Sequence, residues 1–236
     1  MKNLKRFRIF ASLFILCISM LFFAYCHYSS APIDAPEHRE FPTILIDAGH
    51  GGIDGGAVAN DGTQEQYINL QIALELEKQL NVLGFRTEMT RRDQNSIHDS
   101  SKTSIRQQKI SDIHNRMQLL NRLPNCILVS IHQNKFQDKT QWGTQVFYSP
   151  NTTESAMLAD SIQTSCVRLL QPENHRKSKK STSSIYLLYK AKKPAVLVEC
   201  GFISNEEELK FLKDTTYQKQ VAFAIAMGIL NYCNQK

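Results

Sequence analysis

The sequence predicts an α/β fold, a mainly parallel twisted sheet with helices on both faces, in a single domain. Two observations predict it. From residue 41 onward, short apolar β-branched runs alternate with stretches whose apolar residues recur at helical spacing. The helical stretches between strands are ten residues or longer, the length a crossover between parallel strands requires. The length of 236 residues suits one such domain with a short appendage. The composition, 42% hydrophobic and 21% charged with 10 Gly and 7 Pro, excludes a disordered tail, a collagen-like rod and a multi-span membrane protein.

Thr43 to Asp47 (Thr-Ile-Leu-Ile-Asp) reads as the first strand, running into a Gly-rich turn. Ile68, Ile72, Leu76, Leu80 and Leu83 form one stripe of a helix over 67–83. Phe85, Thr87 and Met89 alternate as a strand. Ile110, Ile113, Met117 and Leu120 give a second helix, and Cys126 to His132 a buried strand. Residues 143–149 make another strand, followed by a helix over 152–170 that uses Ala156, Ala159, Ile162 and Cys166. Ile185 to Tyr189 and Ala195 to Glu199 read as strands, and Thr216 to Tyr232 as the closing helix. Ser204 with Glu207 three residues on has capping-box spacing and marks a helix start. The polar stretch 92–107 is either a mobile surface loop or a functional flap. The basic run His175 to Lys180 is either a solvated loop or a surface that meets an acidic substrate.

The net charge is +6, but Lys2, Lys5, Arg6 and Arg8 supply much of it. Without them the balance is 24 basic against 22 acidic residues, which gives no support to nucleic acid as a partner. After Arg8 the chain runs from Ile9 to Tyr25 without a charge. As a helix that run spans about 25 Å, close to one hydrocarbon core. Residues 1–28 are therefore expected to be an N-terminal membrane anchor or signal segment, with an uncleaved anchor favoured, and the basic flank directs the rest of the chain across the membrane. Residues 29–40 read as a polar, Pro-containing linker and 41–236 as the folded domain. Cys126, Cys166, Cys200 and Cys233 lie in that domain without a Cys-x-x-Cys pair, so neither a zinc ribbon nor a redox motif is present.

In an open α/β sheet the ligand crevice lies outside the carboxyl ends of the strands. His50 follows the first strand in Asp47-Ala-Gly-His-Gly-Gly, His132 closes another, and Glu199 closes a third. Glu65 stands just before the helix that follows the first strand. Two imidazoles and one carboxylate make the ligand set of a catalytic zinc site that keeps a position for water. A second, uncoordinated carboxylate then serves as proton acceptor and donor. Gly49, Gly51 and Gly52 suit a sharp turn around His50. They lack the spacing of a phosphate-binding loop.

Asp47-Ala-Gly-His-Gly-Gly, Glu65-Gln-Tyr-Ile-Asn-Leu70, Ser130-Ile-His-Gln-Asn134 and Val198-Glu-Cys-Gly-Phe-Ile-Ser-Asn205, in that order, strongly resemble the zinc-dependent N-acetylmuramoyl-L-alanine amidases of the amidase-3 type. The resemblance spans roughly residues 42–233. It implies a single catalytic domain, zinc held by His50, Glu65 and His132, and Glu199 as the catalytic carboxylate. The implied reaction is hydrolysis of the amide between the lactyl group of muramic acid and the first L-alanine of the peptidoglycan stem peptide. Arg116 and Asn121 match family positions that would brace the site from behind the ligands. Gln66-Tyr67 stands where many relatives carry Lys-Asp, and Cys200 where an aliphatic residue is usual. Adjacent side chains on a strand point to opposite faces, so Cys200 is expected to pack rather than approach the metal.

Met89-Thr-Arg-Arg-Asp93, Gln141-Trp-Gly-Thr-Gln-Val-Phe-Tyr148 and Ser184 to Pro194 resemble the germination-specific, spore-cortex branch of that family. That branch implies a role in forming muramic-δ-lactam in the cortex, outside the cytoplasm and between the membranes of the forming spore. It leaves room for an accessory protein partner. The rival readings are a vegetative wall-remodelling amidase, a zinc peptidase acting on another amide, and an inactive or partner-dependent wall-binding protein of the same fold.

Overall fold

The computed structural model describes residues 2–29 and 41–235. The chain divides into two compact units, residues 1–40 and 41–236. In the first, α1 runs Lys2–Ser29. Among the described residues no helix is long and apolar enough to cross a membrane. The expectation of a membrane anchor over residues 1–28 therefore finds no support among the described residues. Most of the expected linker, residues 30–40, lies outside the described residues.

The second unit contains β1 (Thr43–Ala48), α2 (Glu65–Val82), β2 (Thr87–Met89), α3 (Ile105–Arg122), β3 (Cys126–Asn134), β4 (Gln145–Tyr148) and α4 (Thr153–Leu169). It continues with β5 (Lys179–Lys180), α5 (Tyr186–Lys190), β6 (Ala195–Phe202), α6 (Glu206–Lys213) and α7 (Thr215–Asn234). The six strands form one sheet in the order β2-β1-β3-β6-β4-β5. All neighbouring strands are parallel except β4, which runs antiparallel to β6. The sheet is therefore mainly parallel, as expected.

Alternation along the strands divides the core into two layers. Ile44 and Ile46 of β1, Val129 and Ile131 of β3, and Val196 and Val198 of β6 pack with α2, α4 and α7 on one face. Leu45, Leu128 and Leu197 pack with Met117 and Leu120 of α3 and Leu187 and Leu188 of α5 on the other. Strands covered on both faces need apolar residues at consecutive positions, which is why these runs are continuous. In register, Asp47 lies beside Ser130, His132 beside Glu199, and Glu199 beside Gln145. One edge of the sheet thus collects the ends of β1, β3 and β6 together with the start of β4.

Two local expectations are corrected. Ile185 to Tyr189 does not form a strand: α5 occupies it, with Tyr189 N donating to the Ile185 carbonyl and Ala191 N to that of Leu187. An apolar run without alternation does not distinguish the two states, and burying both Leu187 and Leu188 against one layer selects the helix. The outer strand is instead Lys179–Lys180, inside the basic run. The cap of α6 is Asn205, whose side chain accepts from Glu207 N and Glu208 N, while Ser204 Oγ accepts from Phe136 N. The stretch 92–107 is held against α3: Ile97 N donates to Asp112, Asp99 N to Ser111 Oγ, and Asn115 Nδ2 to the Ile97 carbonyl.

The four cysteines of this unit are buried. Cys200 lies in the layer under α4 and α7, on the face opposite Glu199, and burial pushes its thiol far above the usual range. It packs and does not reach the site.

Helices α4 and α7 cross closely at Gly228, where an added Cβ would lie 2.5 Å from Ile162 Cα. Gly228→Ala is therefore expected to destabilise the domain by about 1–3 kcal/mol, although Ala normally improves a helix by ~1 kcal/mol. Urea unfolding of the two proteins checks the sign, and an increase in stability would show that the crossing is loose.

Candidate metal centre

The site begins where β1 ends. After Asp47-Ala48 the chain turns at Gly49, whose amide donates to the Ile131 carbonyl of β3 at 3.1 Å. Gly49 is required by proximity, since a Cβ there would lie 2.2 Å from His132 Nε2. His50 then adopts φ 62°, a left-handed conformation that costs a non-Gly residue roughly 1–2 kcal/mol.

The carbonyls of this turn are held from below. Arg91 Nε and Arg116 donate to Ala48 O at 2.9 and 2.8 Å. Arg91 and Asn69 Nδ2 donate to Gly49 O at 3.0 and 3.2 Å. Arg116 also donates to His50 O at 2.6 Å. Arg116 is itself buried against Asp47 (2.5 Å) and Asp112 (2.7 Å). Burial pushes the Asp47 carboxyl up, but the Arg116 guanidinium and the Ser130 hydroxyl, 2.5 Å away, outweigh that and hold it at about 2. Burial and the neighbouring Arg116 charge lower Arg91 to about 10.

Glu65, the first residue of α2, is buried between the two imidazoles. Its Oε1 lies 2.9 Å from His132 Nδ1 and accepts from Gln133 N and Asn69 Nδ2 at 3.0 and 3.1 Å. Its Oε2 lies 3.2 Å from His50 Nε2 and accepts from Ala57 N at 2.9 Å. Burial favours the protonated acid, yet bonds to His132 and His50 hold the carboxyl well below the usual range. One ligand atom from each of His50, Glu65 and His132 lies within 4.8 Å of the others, so the three could hold one metal ion.

His50 is oriented through its other nitrogen, Nδ1, which meets Asp54 Oδ2 at 2.9 Å. Lys109 Nζ meets the second oxygen of Asp54 at 2.7 Å. Burial disfavours a charged imidazole, but Asp54 and Glu65 outweigh it and raise His50 to about 9. A proton and a dication would therefore compete for this imidazole.

Glu199 has the opposite environment. It lies beside His132 across the sheet, and its Oε2 is buried without a hydrogen-bond partner. Burial, with the Glu65 charge in support, pushes its carboxyl up to about 7 against the pull of His132 and His50. A buried carboxyl with an unused oxygen, next to a cluster of metal-ligating atoms, is equipped to exchange a proton near neutral pH.

The structure therefore brings His50, Glu65, His132 and Glu199 together and sets Arg116 behind the His50 turn. It does not bring Asn121 there. Asn121 is exposed near the end of α3, beside the start of β3, and its carbonyl accepts from Lys193 Nζ at 3.1 Å. Its place at the last turn of α3, more than a turn beyond Arg116, removes it from the site. Asp54, Asn69, Arg91 and Gln133 support the site without having been singled out for a role in the sequence. Asp54 carried a usable signal, an acid four residues after His50 in the same Gly-rich turn.

Residues 44–231 match the family model described as N-acetylmuramoyl-L-alanine amidase. The chain belongs to this family. The amidase is 33% identical over 193 residues to the germination-specific N-acetylmuramoyl-L-alanine amidase of Bacillus subtilis, covering 82% of this chain and 80% of that one. Among solved structures it is similar to the CwlD amidase of Clostridioides difficile in complex with the GerS lipoprotein. That match has a TM-score of 0.80 and 38% identity, and it covers 83% of this chain and all of that chain. It is also similar to AmiC2 of Nostoc punctiforme, with a TM-score of 0.70 and 27% identity over 83% of this chain and 98% of that one.

Asp54→Ala is expected to weaken zinc retention about 10- to 100-fold, measured by competition with a chromophoric chelator. In the unsubstituted amidase the raised His50 pKa makes the proton a competitor below about pH 9. Zinc affinity should therefore rise roughly tenfold per pH unit across the neutral range, and more shallowly in the variant. Equal affinity and equal pH slope in both proteins would show that Asp54 does not control His50.

Proposed function

We propose that this chain hydrolyses the amide between the lactyl group of muramic acid and the L-alanine that begins the peptidoglycan stem peptide. The observation that carries this reading is the pairing of a three-residue ligand cluster with the buried, unpartnered Glu199 carboxyl beside it. Family membership supports the choice of amide.

His50, Glu65 and His132 would hold the metal, and their donor set suits zinc. When bound, zinc supplies a Lewis acid that lowers the pKa of water and polarises the scissile carbonyl. The protein's own residues do the rest. Glu65 stays ionised because two imidazoles, two backbone amides and Asn69 surround it. Asp54 holds His50 through Nδ1 and leaves Nε2 facing the cluster. Glu199 takes a proton from the attacking water and delivers one to the departing amine of L-alanine, a role that its position near 7 suits. Arg91 and Arg116 keep the His50 turn in place and touch no reacting atom.

Similarity to the germination-specific amidase of Bacillus subtilis and to CwlD supports a role in the spore cortex. Since that CwlD structure contains the GerS lipoprotein, an accessory lipoprotein is a reasonable class of partner for this chain too. Four basic residues ahead of the uncharged run 9–25 support export of the domain. Whether that run also retains the protein at the membrane is decided by fractionation of cells making the full chain.

The full-length, zinc-loaded protein is incubated with peptide-bearing cortex glycan and the products are read by mass spectrometry. Free stem peptides beginning with L-alanine are expected. Glu199→Gln should keep its zinc and lose about 10²- to 10⁴-fold in kcat, because the ligands are untouched while the proton carrier is gone. Loss of zinc from that variant would make Glu199 a ligand, and cleavage at another amide would replace the proposed substrate.

A further inference from the structure

The basic run left without a role by the catalytic cluster borders the same row of the sheet. His132, Glu199 and Gln145 are neighbours in register on three adjacent strands and project from one face. Gln145, itself buried, reaches the next segment: its Nε2 donates to the Lys177 carbonyl at 2.6 Å. Two residues on, Lys179 pairs with Phe147 of β4, and Phe147 packs on the α3 and α5 layer, the Glu199 side. Lys180 pairs with Tyr148, which belongs to the opposite layer.

The run is held in place. Arg176 donates to the Trp142 carbonyl at 2.8 Å and to Gln141 Oε1 at 2.7 Å, and its guanidinium lies 4.7 Å from the centre of the Phe202 ring at the end of β6. Ser181 N donates to Tyr148 O. Lys177 and Lys179 are exposed, and no ion pair among the described residues engages them. Lys179 stands two strand spacings of about 4.8 Å from β6 and level with Leu197, two residues along from Glu199, so its backbone lies roughly 12 Å from that of Glu199. An extended peptide covers that distance in about three residues.

We infer that Lys177 and Lys179 form a subsite for carboxylates of an acidic peptide leaving group, within about three residues of the scissile amide. This inference rests on the proposed amide hydrolysis at the Glu199 site. It assigns the stem peptide's negative charge to the β5 edge, and it makes the free-carboxylate form of the peptide the preferred substrate. The alternative role of an edge lysine is to block pairing with another strand. That role has no dependence on substrate charge and treats Lys179 and Lys180 alike.

The test compares two muropeptide substrates, one with free stem-peptide carboxyl groups and one with those groups amidated. Both are cleaved by the full-length zinc-loaded protein. The free acid is expected to show a kcat/KM about three- to tenfold higher, mainly through KM, and the preference should shrink as salt is raised. Lys179→Ala, and more strongly the Lys177→Ala/Lys179→Ala pair, should reduce that preference toward unity. Lys180→Ala should keep it. Equal preference in all variants, or a loss in Lys180→Ala as large as in Lys179→Ala, would overturn the subsite. Failure of the unsubstituted protein to cleave either substrate would instead overturn the amidase reading on which it rests.

Discussion

The buried contact between Asp47 and Arg116 underlies the geometry of the whole site. Both side chains are almost fully removed from water, and a buried charge is tolerated only when it is paired and hydrogen-bonded. Asp47 is anchored in β1, with Thr90 and Ser130 as further donors, so Arg116 is drawn under the end of that strand. There its remaining donors meet the carbonyls of Ala48 and His50. Arg91 approaches from the other flank and reaches Ala48, Gly49 and Gln66. The left-handed His50 backbone is held because three successive carbonyls are bound by groups that cannot move without losing their own partners.

On this base, two carboxylates of the same chemical kind take different states. Glu65 sits at the start of a helix and receives two backbone amides, an Asn amide and two imidazoles, and it stays charged. The helix N-terminus favours that charge as well. Glu199 extends from a strand and is only partly buried as a residue, but one of its carboxyl oxygens is buried with no donor. Desolvation then dominates and favours the neutral acid. One residue is suited to hold a cation and the other to carry a proton, and the difference lies in donors supplied by the surroundings.

The antiparallel strand β4 extends this arrangement sideways. Because it runs opposite to β6, its first residue rather than its last lies beside Glu199. The loop before β4 and the basic segment paired beyond it therefore reach the crevice edge. In a fully parallel sheet those positions would carry the ends of crossover helices. Gln145 links the two neighbours, standing beside Glu199 in register and holding the Lys177 carbonyl with its amide.

The sequence by itself determined the sheet class, most strand and helix positions, and the residues of the ligand cluster with Glu199. Continuous apolar β-branched runs and helical stripes are local patterns, and chemically distinctive residues at strand ends are visible without coordinates. It placed Ile185 to Tyr189 in a strand because an unbroken apolar run has no period that separates strand from helix. The family resemblance named Asn121 with Arg116 as bracing the site, but a matched position does not say which turn of a helix lies near the crevice. Only the tertiary structure decided that Arg91 and Asn69 meet on the Gly49 carbonyl, 42 and 20 residues away in the chain, with Gln133 donating to Asn69 from 64 residues on. It alone decided the charge states of Glu65 and Glu199, because burial and the number of nearby donors are properties of the packed molecule.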